Sequence, residues 1–390
     1  MFYARIQIGK TIKGMKNFLL YILLNGLVVL SSCNGGQNSL PEPTMGTKEP
    51  ILFAKGFEIV NFDNYTVLSV ADPWDSTKTL QSYVIVDREK PLPDNLPNGT
   101  VIKVPVKNAI MYTTVHVAVF EYLNALSSIA GICESEYLTS PKSKELVANG
   151  TIADCGLAAS PNIEKIMDVE GEIIIVSPFE HGGYGQAEKL GIPIFEAADY
   201  METHPLGRAE WIKIHGLLTG KKELADSIFR AKVEKYNYYK SLTEGVEYRP
   251  KLIAERKYGS SWFIPGGASY VAQMYKDAGA DYIFECDRNT GSVPYSFETV
   301  LDKGENADIW LLKYDMKRAM TYSDLKAEYK PYEMFKPFRE KKIYTCNTTH
   351  TPYYECISIH PDIILADLVH IFHPELIDDY NPMCFMPMAE

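Results

Sequence analysis

An α/β architecture of two β/α lobes joined by a single long helix, with a small β-rich N-terminal addition, is what this sequence predicts. Three observations carry it. From about residue 100 onward, short strand-like apolar runs alternate with helical stretches. Leu206 to Leu242 is almost entirely helical in pattern and is broken only at Thr219-Gly220. Beyond the first segment about 360 residues remain, more than one core usually organises.

The chain opens on a targeting segment, residues 1–32. Four bases (Arg5, Lys10, Lys13, Lys16) and no acid precede the apolar run Phe18 to Leu30, which is too short to cross a bilayer and suits a signal-peptide core. It ends in Leu30-Ser31-Ser32-Cys33, which resembles the bacterial lipobox. The small residues admit a peptidase, and cutting before Cys33 leaves its thiol to accept a diacylglycerol group. The several acyl chains of a mature lipoprotein make a durable anchor where one would not. An ordinary secretory signal with a nearby cysteine is the alternative. Met15 is a second candidate start, giving a more compact basic end. No residue from Asn34 to Asn38 is acidic, which favours a periplasmic face over surface export. Residues 33–50 are rich in Gly, Pro and Ser and read as a flexible tether.

Residues 51–99 form the β-rich addition, with alternating runs at Phe57 to Phe62, Tyr65 to Val70 and Ser82 to Val86 between turn signals. The amino-terminal lobe spans 100–205. Its expected strands are Val101 to Val106, Ala109 to Tyr112, Ile129 to Cys133, Glu172 to Val176 and Ile192 to Phe195. Its helices run from Val115 to Leu126, capped by Thr114, from Ser160-Pro161 onward, and from Gln186 to Leu190. The linking helix takes 206–245. The carboxyl-terminal lobe, 246–390, carries strands at Leu252 to Glu255, Tyr282 to Phe284, Ile309 to Leu312 and Ile343 to Thr345. Helices at Ser269 to Ala278, Ser296 to Lys303 and Pro361 to Phe372 alternate with them.

Composition excludes some functions. Loss of residues 1–32 removes the four bases and no acid, so the net charge moves from −11 to −15, without the basic footprint of a nucleic-acid binder. Six cysteines remain besides Cys33, and an exported location permits the pairs Cys133–Cys155 and Cys346–Cys356. There is no CxxC, GxSxG, HExxH or EF-hand loop. Gly216-Leu217-Leu218-Thr219-Gly220-Lys221-Lys222 has the wrong glycine spacing for a phosphate loop and follows a helix.

Several stretches in order give a resemblance. They are Met111-Tyr112-Thr113-Thr114, Asn162-Ile163-Glu164-Lys165-Ile166, Leu190-Gly191-Ile192-Pro193-Ile194, and Leu218-Thr219-Gly220 before a long helix. In the second half come Pro265-Gly266-Gly267-Ala268-Ser269, Ala278-Gly279-Ala280, Ser296-Phe297-Glu298, Asp308-Ile309-Trp310-Leu311, and His360-Pro361-Asp362 through His373-Pro374-Glu375-Leu376. Over about residues 100–377 the chain resembles the periplasmic substrate-binding proteins of ABC importers for ferric siderophores, haem and vitamin B12. The resemblance implies two Rossmann-like lobes on a rigid helix that close little on binding. It also implies a monomer without cofactor, whose ligand is an iron chelate, haem or cobalamin. The partner would be the transmembrane permease, approached from the lipid anchor on a bacterial membrane. The addition, 51–99, lies outside the family pattern.

The resemblance also marks residues. Glu164 and Glu298 match the family's two glutamates that meet permease arginines, each in a helix's first turn, where a carboxylate is favoured anyway. Ligand is expected where loops leave the strands' carboxyl ends, namely 112–116, 178–184, 260–267, 290–295 and 347–354. Those loops offer Tyr112, Glu180, Tyr184, Trp262, Phe263, Tyr295 and Tyr353 as contacts. His116 and His181 are candidate axial ligands to haem or cobalamin, or else a cap and a packed ring. Arg208, at a helix start, either binds an anionic part of the ligand or pairs with an acid such as Glu210. His370 and His373 are expected on terminal carbonyls. Two other classes stay open: a tethered chelatase, needing a His/Glu pair such as His181 with Glu180, and a direct metal-ion receptor.

Overall fold

The structure, a computed structural model, describes residues 46–390; the signal-peptide run, Cys33 and the tether as far as Met45 lie outside the described residues. Among the described residues no helix is long and apolar enough to cross a membrane.

The addition is a five-stranded sheet in the order Thr47–Lys48, Phe57–Asn61, Thr66–Ala71, Thr79–Asp87, Thr100–Val104. Its pairs are antiparallel except the last, which runs parallel to Thr79–Asp87. Two expectations change here. Thr47–Lys48 pairs with Phe57–Asn61 and belongs to the sheet, not to a tether ending at Pro50. Thr100–Val104 completes this sheet and is not a strand of the lobe that follows. Its pattern explains the difference: Ile102 is buried while Lys103 is exposed, a strand covered on one face only.

The amino-terminal lobe is a parallel sheet ordered Ile194–Glu196, Ile173–Val176, Ala109–Met111, Ile129–Ile132, Ala153–Asp154. Ile173–Val176 is buried at every residue, as its unbroken β-branched run requires of a strand covered on both faces. Ser160–Pro161 does not begin a helix; it pairs with Gly156–Leu157, and the helix Ile163–Asp168 starts after Asn162, whose Oδ1 accepts from Lys165 N at 3.1 Å.

The bridge consists of Pro205–Glu210, Ile212–Thr219 and Lys222–Leu242. The expected break falls at Gly220, which takes a left-handed φ of 67°. A second break at Trp211 is new; that ring is buried against Phe57 of the addition, with centroids 5.1 Å apart. Two buried carboxylates of this region grip the chain entering the addition. Glu210 accepts from the backbone nitrogens of Leu52, Phe53 and Ala54, at 2.9, 2.7 and 2.9 Å. Glu202 accepts from Lys55 and Gly56 and from Trp211 Nε1. Addition, amino-terminal lobe and bridge therefore share one apolar core.

The carboxyl-terminal lobe has strands ordered Asp281–Tyr282, Lys251–Ala254, Ile309–Tyr314, Ile343–Asn347, Met386–Pro387, all parallel but the last. Trp262, Trp310, Tyr332 and Phe335 pack at its centre.

All six cysteines among the described residues are free. Cys133 and Cys155 do not bond because each thiol turns to a carbonyl, Cys133 Sγ to Cys155 O at 3.9 Å and Cys155 Sγ to Ala153 O at 3.7 Å. Nor are Cys346 and Cys356 joined; Cys356 Sγ faces Met383 Sδ at 3.8 Å.

Candidate functional site

Each lobe's strand order reverses once, between Ala109–Met111 and Ile173–Val176 in the first and between Lys251–Ala254 and Ile309–Tyr314 in the second. Loops diverge at such a reversal and leave a crevice at the carboxyl ends of the strands. A cavity of about 890 Å³ lies between the two crevices. Tyr112, Thr113, Glu134, Tyr137 and Phe179 line one wall, and Arg256, Lys313, Tyr314, Asp315 and Tyr354 line the other. The walls meet where Thr139 Oγ1 donates to Glu355 Oε1 at 2.9 Å. A hollow of about 750 Å³ extends the first wall between Ala158, Ala159, Gly183 and Tyr184. Another of about 540 Å³ extends the second between Tyr258, Phe263, Tyr270 and Tyr353.

The two walls differ in chemistry. The first sets aromatic and small residues beside Glu134, Glu136 and Lys144, and its buried polar handle is Tyr112. Burial pushes that phenol's pKa up, and its hydroxyl has no hydrogen-bond partner in the protein. Tyr184 is similar in kind but satisfied, donating to Glu196 Oε1 at 2.8 Å. The second wall brings Arg256, Lys257 and Lys313 together. Lys313 sits inside an otherwise buried strand; burial pushes its ammonium down to about 8, while its contact with the Glu255 carboxylate favours the charged form. Arg256 pairs with Glu328 at 2.5 Å. Glu255 holds a left-handed φ of 64°, uncommon for a residue with a side chain. The conformation is fixed by two main-chain bonds: its N–H donates to Leu311 O and its carbonyl accepts from Trp310 Nε1, both at 2.7 Å.

Of the residues singled out from sequence, Tyr112, Tyr184, Phe263 and Tyr353 line these spaces. The others go elsewhere. His116 is buried beneath the cavity, with Nδ1 3.2 Å from Thr113 Oγ1 and Nε2 3.7 Å from Asp199. Glu180 and His181 occupy an exposed loop tip, the histidine 92% exposed, and neither lines the cavity. The chelatase pair is therefore not assembled at the cavity. Arg208 is buried and its acid is Asp199, since Glu210 is already committed to the addition's backbone. Trp262 is wholly buried, because Ser261–Pro265 is a strand rather than a flexible loop. Tyr295 pairs with that strand and donates to Asp287 Oδ2 at 2.9 Å. The terminal-carbonyl contacts expected of His370 and His373 are not made: His373 Nε2 lies 3.1 Å from Gly279 O, past the end of the helix Tyr270–Asp277, and His370 Nδ1 has no hydrogen-bond partner. Glu164 and Glu298 are exposed, each the second residue of its helix. Among the described residues no group of three or more His, Cys, Asp or Glu is placed to hold a metal ion.

Arg256, Lys257, Lys313 and Tyr270 are what the sequence reading missed. One signal was available: a lysine in an apolar strand, one residue past where Ile309 to Leu312 was expected to end.

Two crevices facing one shared cavity define a two-lobed ligand-binding protein. The chain belongs to the periplasmic binding protein family, whose model matches residues 112–350. It is 26% identical over 372 residues to a protein named as an uncharacterized lipoprotein of Methanocaldococcus jannaschii, covering 89% of this chain and 87% of that one. A periplasmic binding protein from Veillonella parvula superposes with a TM-score of 0.59 at 13% identity, over 80% of this chain and 98% of that chain. A periplasmic heme binding protein from Pseudomonas aeruginosa gives 0.55 at 14% identity, over 73% and 98%.

Proposed function

We propose that this chain is the lipid-anchored receptor of an ABC importer, capturing a metal chelate between its lobes and delivering it to the permease. The observation that carries the reading is the cavity of about 890 Å³ between the two crevices, with tyrosines on both walls and with Lys144, Arg256 and Lys313 set among the carboxylates of Glu134, Glu136, Glu255, Asp315 and Glu355. That volume falls in the range of small-molecule sites and suits a bulky, flat-faced ligand that also carries polar groups. Ferric siderophores, haem and cobalamin share that description, and the family and the heme-binding neighbour support the class. In each, the chelator and not the protein holds the metal. Cys33 is the proposed lipid attachment, in keeping with the lipoprotein name of the relative. Glu164 and Glu298 are the proposed permease contacts.

Titration of the purified protein with a ferric catecholate, a ferric hydroxamate, haem and cyanocobalamin, followed by visible absorbance, tests the reading. Saturable one-to-one binding of one of them is expected. No binding of any at 100 μM (on the order of the weakest useful capture) would overturn it. Reversing both Glu164 and Glu298 to Lys is expected to stop uptake while leaving that titration unchanged.

A further inference from the structure

Phe179 and Tyr354 stand on opposite walls of the cavity of about 890 Å³, one from each lobe. Neither ring belongs to a core: Phe179 is 71% exposed and Tyr354 52%. Anchored backbone holds both in place. Pro178 O, just ahead of Phe179, accepts from Tyr200 Oη at 2.5 Å, and Phe179 O accepts from Gly182 N at 2.9 Å, closing a turn. A Cβ on Gly182 would crowd that turn, standing 3.1 Å from both Cβ and O of Phe179. On its far side Tyr184 N donates to Glu188 Oε1 at 2.5 Å. The turn is thus tied at both ends and carries the Phe179 ring out from the wall. Tyr354 follows Tyr353 in the first turn of the helix Tyr353–Ile359. Tyr353 is the buried member of the pair, packed edge-on against Phe385 with centroids 5.8 Å apart, and Tyr354 is left to line the cavity.

An apolar ring held in water forgoes the gain of burial. Single exposed apolar residues are ordinary on a protein surface, but two that face one cavity from different lobes mark a shared occupant. Charge alone does not choose that occupant, because Lys144, Arg256 and Lys313 share the cavity with Glu134, Glu255 and Glu355. We propose that Phe179 and Tyr354 stack against a planar conjugated ring of the ligand, so that the site takes a tetrapyrrole or a catecholate chelate and disfavours an aliphatic one. This rests on the ligand-capture reading above. Contact between π-systems adds to the gain from the apolar area buried. A leucine keeps most of that area and loses the addition, which separates stacking from simple burial.

The test is to titrate the purified protein with haem, a ferric tricatecholate and an aliphatic ferric trihydroxamate, in wild type and in Phe179→Leu and Tyr354→Leu. Wild type should bind haem or the tricatecholate about tenfold more tightly than the trihydroxamate, and its preference between those two identifies the ring. Each leucine variant should lose about fivefold in affinity for the ring-bearing ligand, with native circular dichroism. Phe179→Tyr, which restores a ring, should recover most of that loss. A trihydroxamate bound as tightly as either ring-bearing chelate overturns the proposal, as does undiminished affinity in both leucine variants. In either case the wild type still binds a chelate and the capture reading stands. A wild type that binds none of the three overturns the capture reading, and stacking with it.

Discussion

Arg208 Nη1 donates to the phenol oxygen of Tyr270 at 2.7 Å, which ties the bridge to a helix of the carboxyl-terminal lobe. The same guanidinium donates from Nε to Asp199 Oδ2 at 2.9 Å and lies over the Tyr270 ring. Burial opposes the charge on Asp199, yet Arg208 and His116 hold its carboxyl well below the usual range. A chain of contacts thus runs from the amino-terminal lobe through the bridge to a residue of the cavity's second wall.

Breaking that chain at its two ends should have unequal effects. Arg208→Met leaves the Asp199 carboxylate buried without its cation and should cost about 3–5 kcal/mol. Tyr270→Phe removes one hydrogen bond and should cost about 1 kcal/mol. Urea denaturation midpoints measure both. Equal costs would mean that Arg208 is not the charge partner that the geometry makes it.

The unpartnered hydroxyl of Tyr112 gives a prediction of opposite signs. Tyr112→Phe relieves a buried, unsatisfied polar group, so stability should hold or rise slightly. Ligand affinity should fall about fivefold, the worth of about one hydrogen bond. Parallel melting and titration experiments separate the two effects.

These residues also mark how far the sequence could be read. Ile173–Val176 was legible because its unbroken apolar run leaves no face for water. The bridge break at Gly220 was legible because a left-handed turn there favours glycine. The gathering of bases on the second wall was not. Arg256 and Lys257 follow a strand and look like any solvated turn, and only three-dimensional packing brings Lys313 beside them. Trp262 was misplaced for a related reason: an aromatic residue in a glycine-flanked stretch fits a loop wall and a core strand equally, and pairing with Tyr295 decides it.

Lys313 should make binding of an anionic chelate sensitive to pH. Its ammonium, lowered to about 8 by burial, is charged below that pH and neutral above it. Affinity should therefore weaken between about pH 7 and pH 9, and Lys313→Met should flatten the profile. Glu255→Gln, which removes the competing carboxylate, should tighten binding of the same ligand about threefold to tenfold. Isothermal titration at several pH values decides; an unchanged affinity across that range would count against Lys313 as the receiving charge.

Two buried histidines predict an acid limit to stability. Burial lowers His215 and His360 from 6.5 to about 4, and Lys232 and Lys235 add to the effect at His360. Tyr122 and Asp362 complete the surroundings of His360, while His116, Asp199 and Phe120 face His215. Unfolding releases both rings to protonate near 6.5, so the stability tied to their neutrality is present above that pH. It is lost as the pH falls from about 6.5 to about 4. Chemical denaturation across this interval should show the decline, and His215→Gln should reduce its slope.

The grip of Glu202 and Glu210 on residues 52–56 has a mechanical consequence. A pull on the chain ahead of Pro50 meets that pair of carboxylates soon after the two-residue strand Thr47–Lys48. The load then passes into the bridge and bypasses the loops that face the cavity. Like the strain relief on a cable, this attachment would let the protein be tugged and swung at its amino-terminal end while its two crevices keep their spacing.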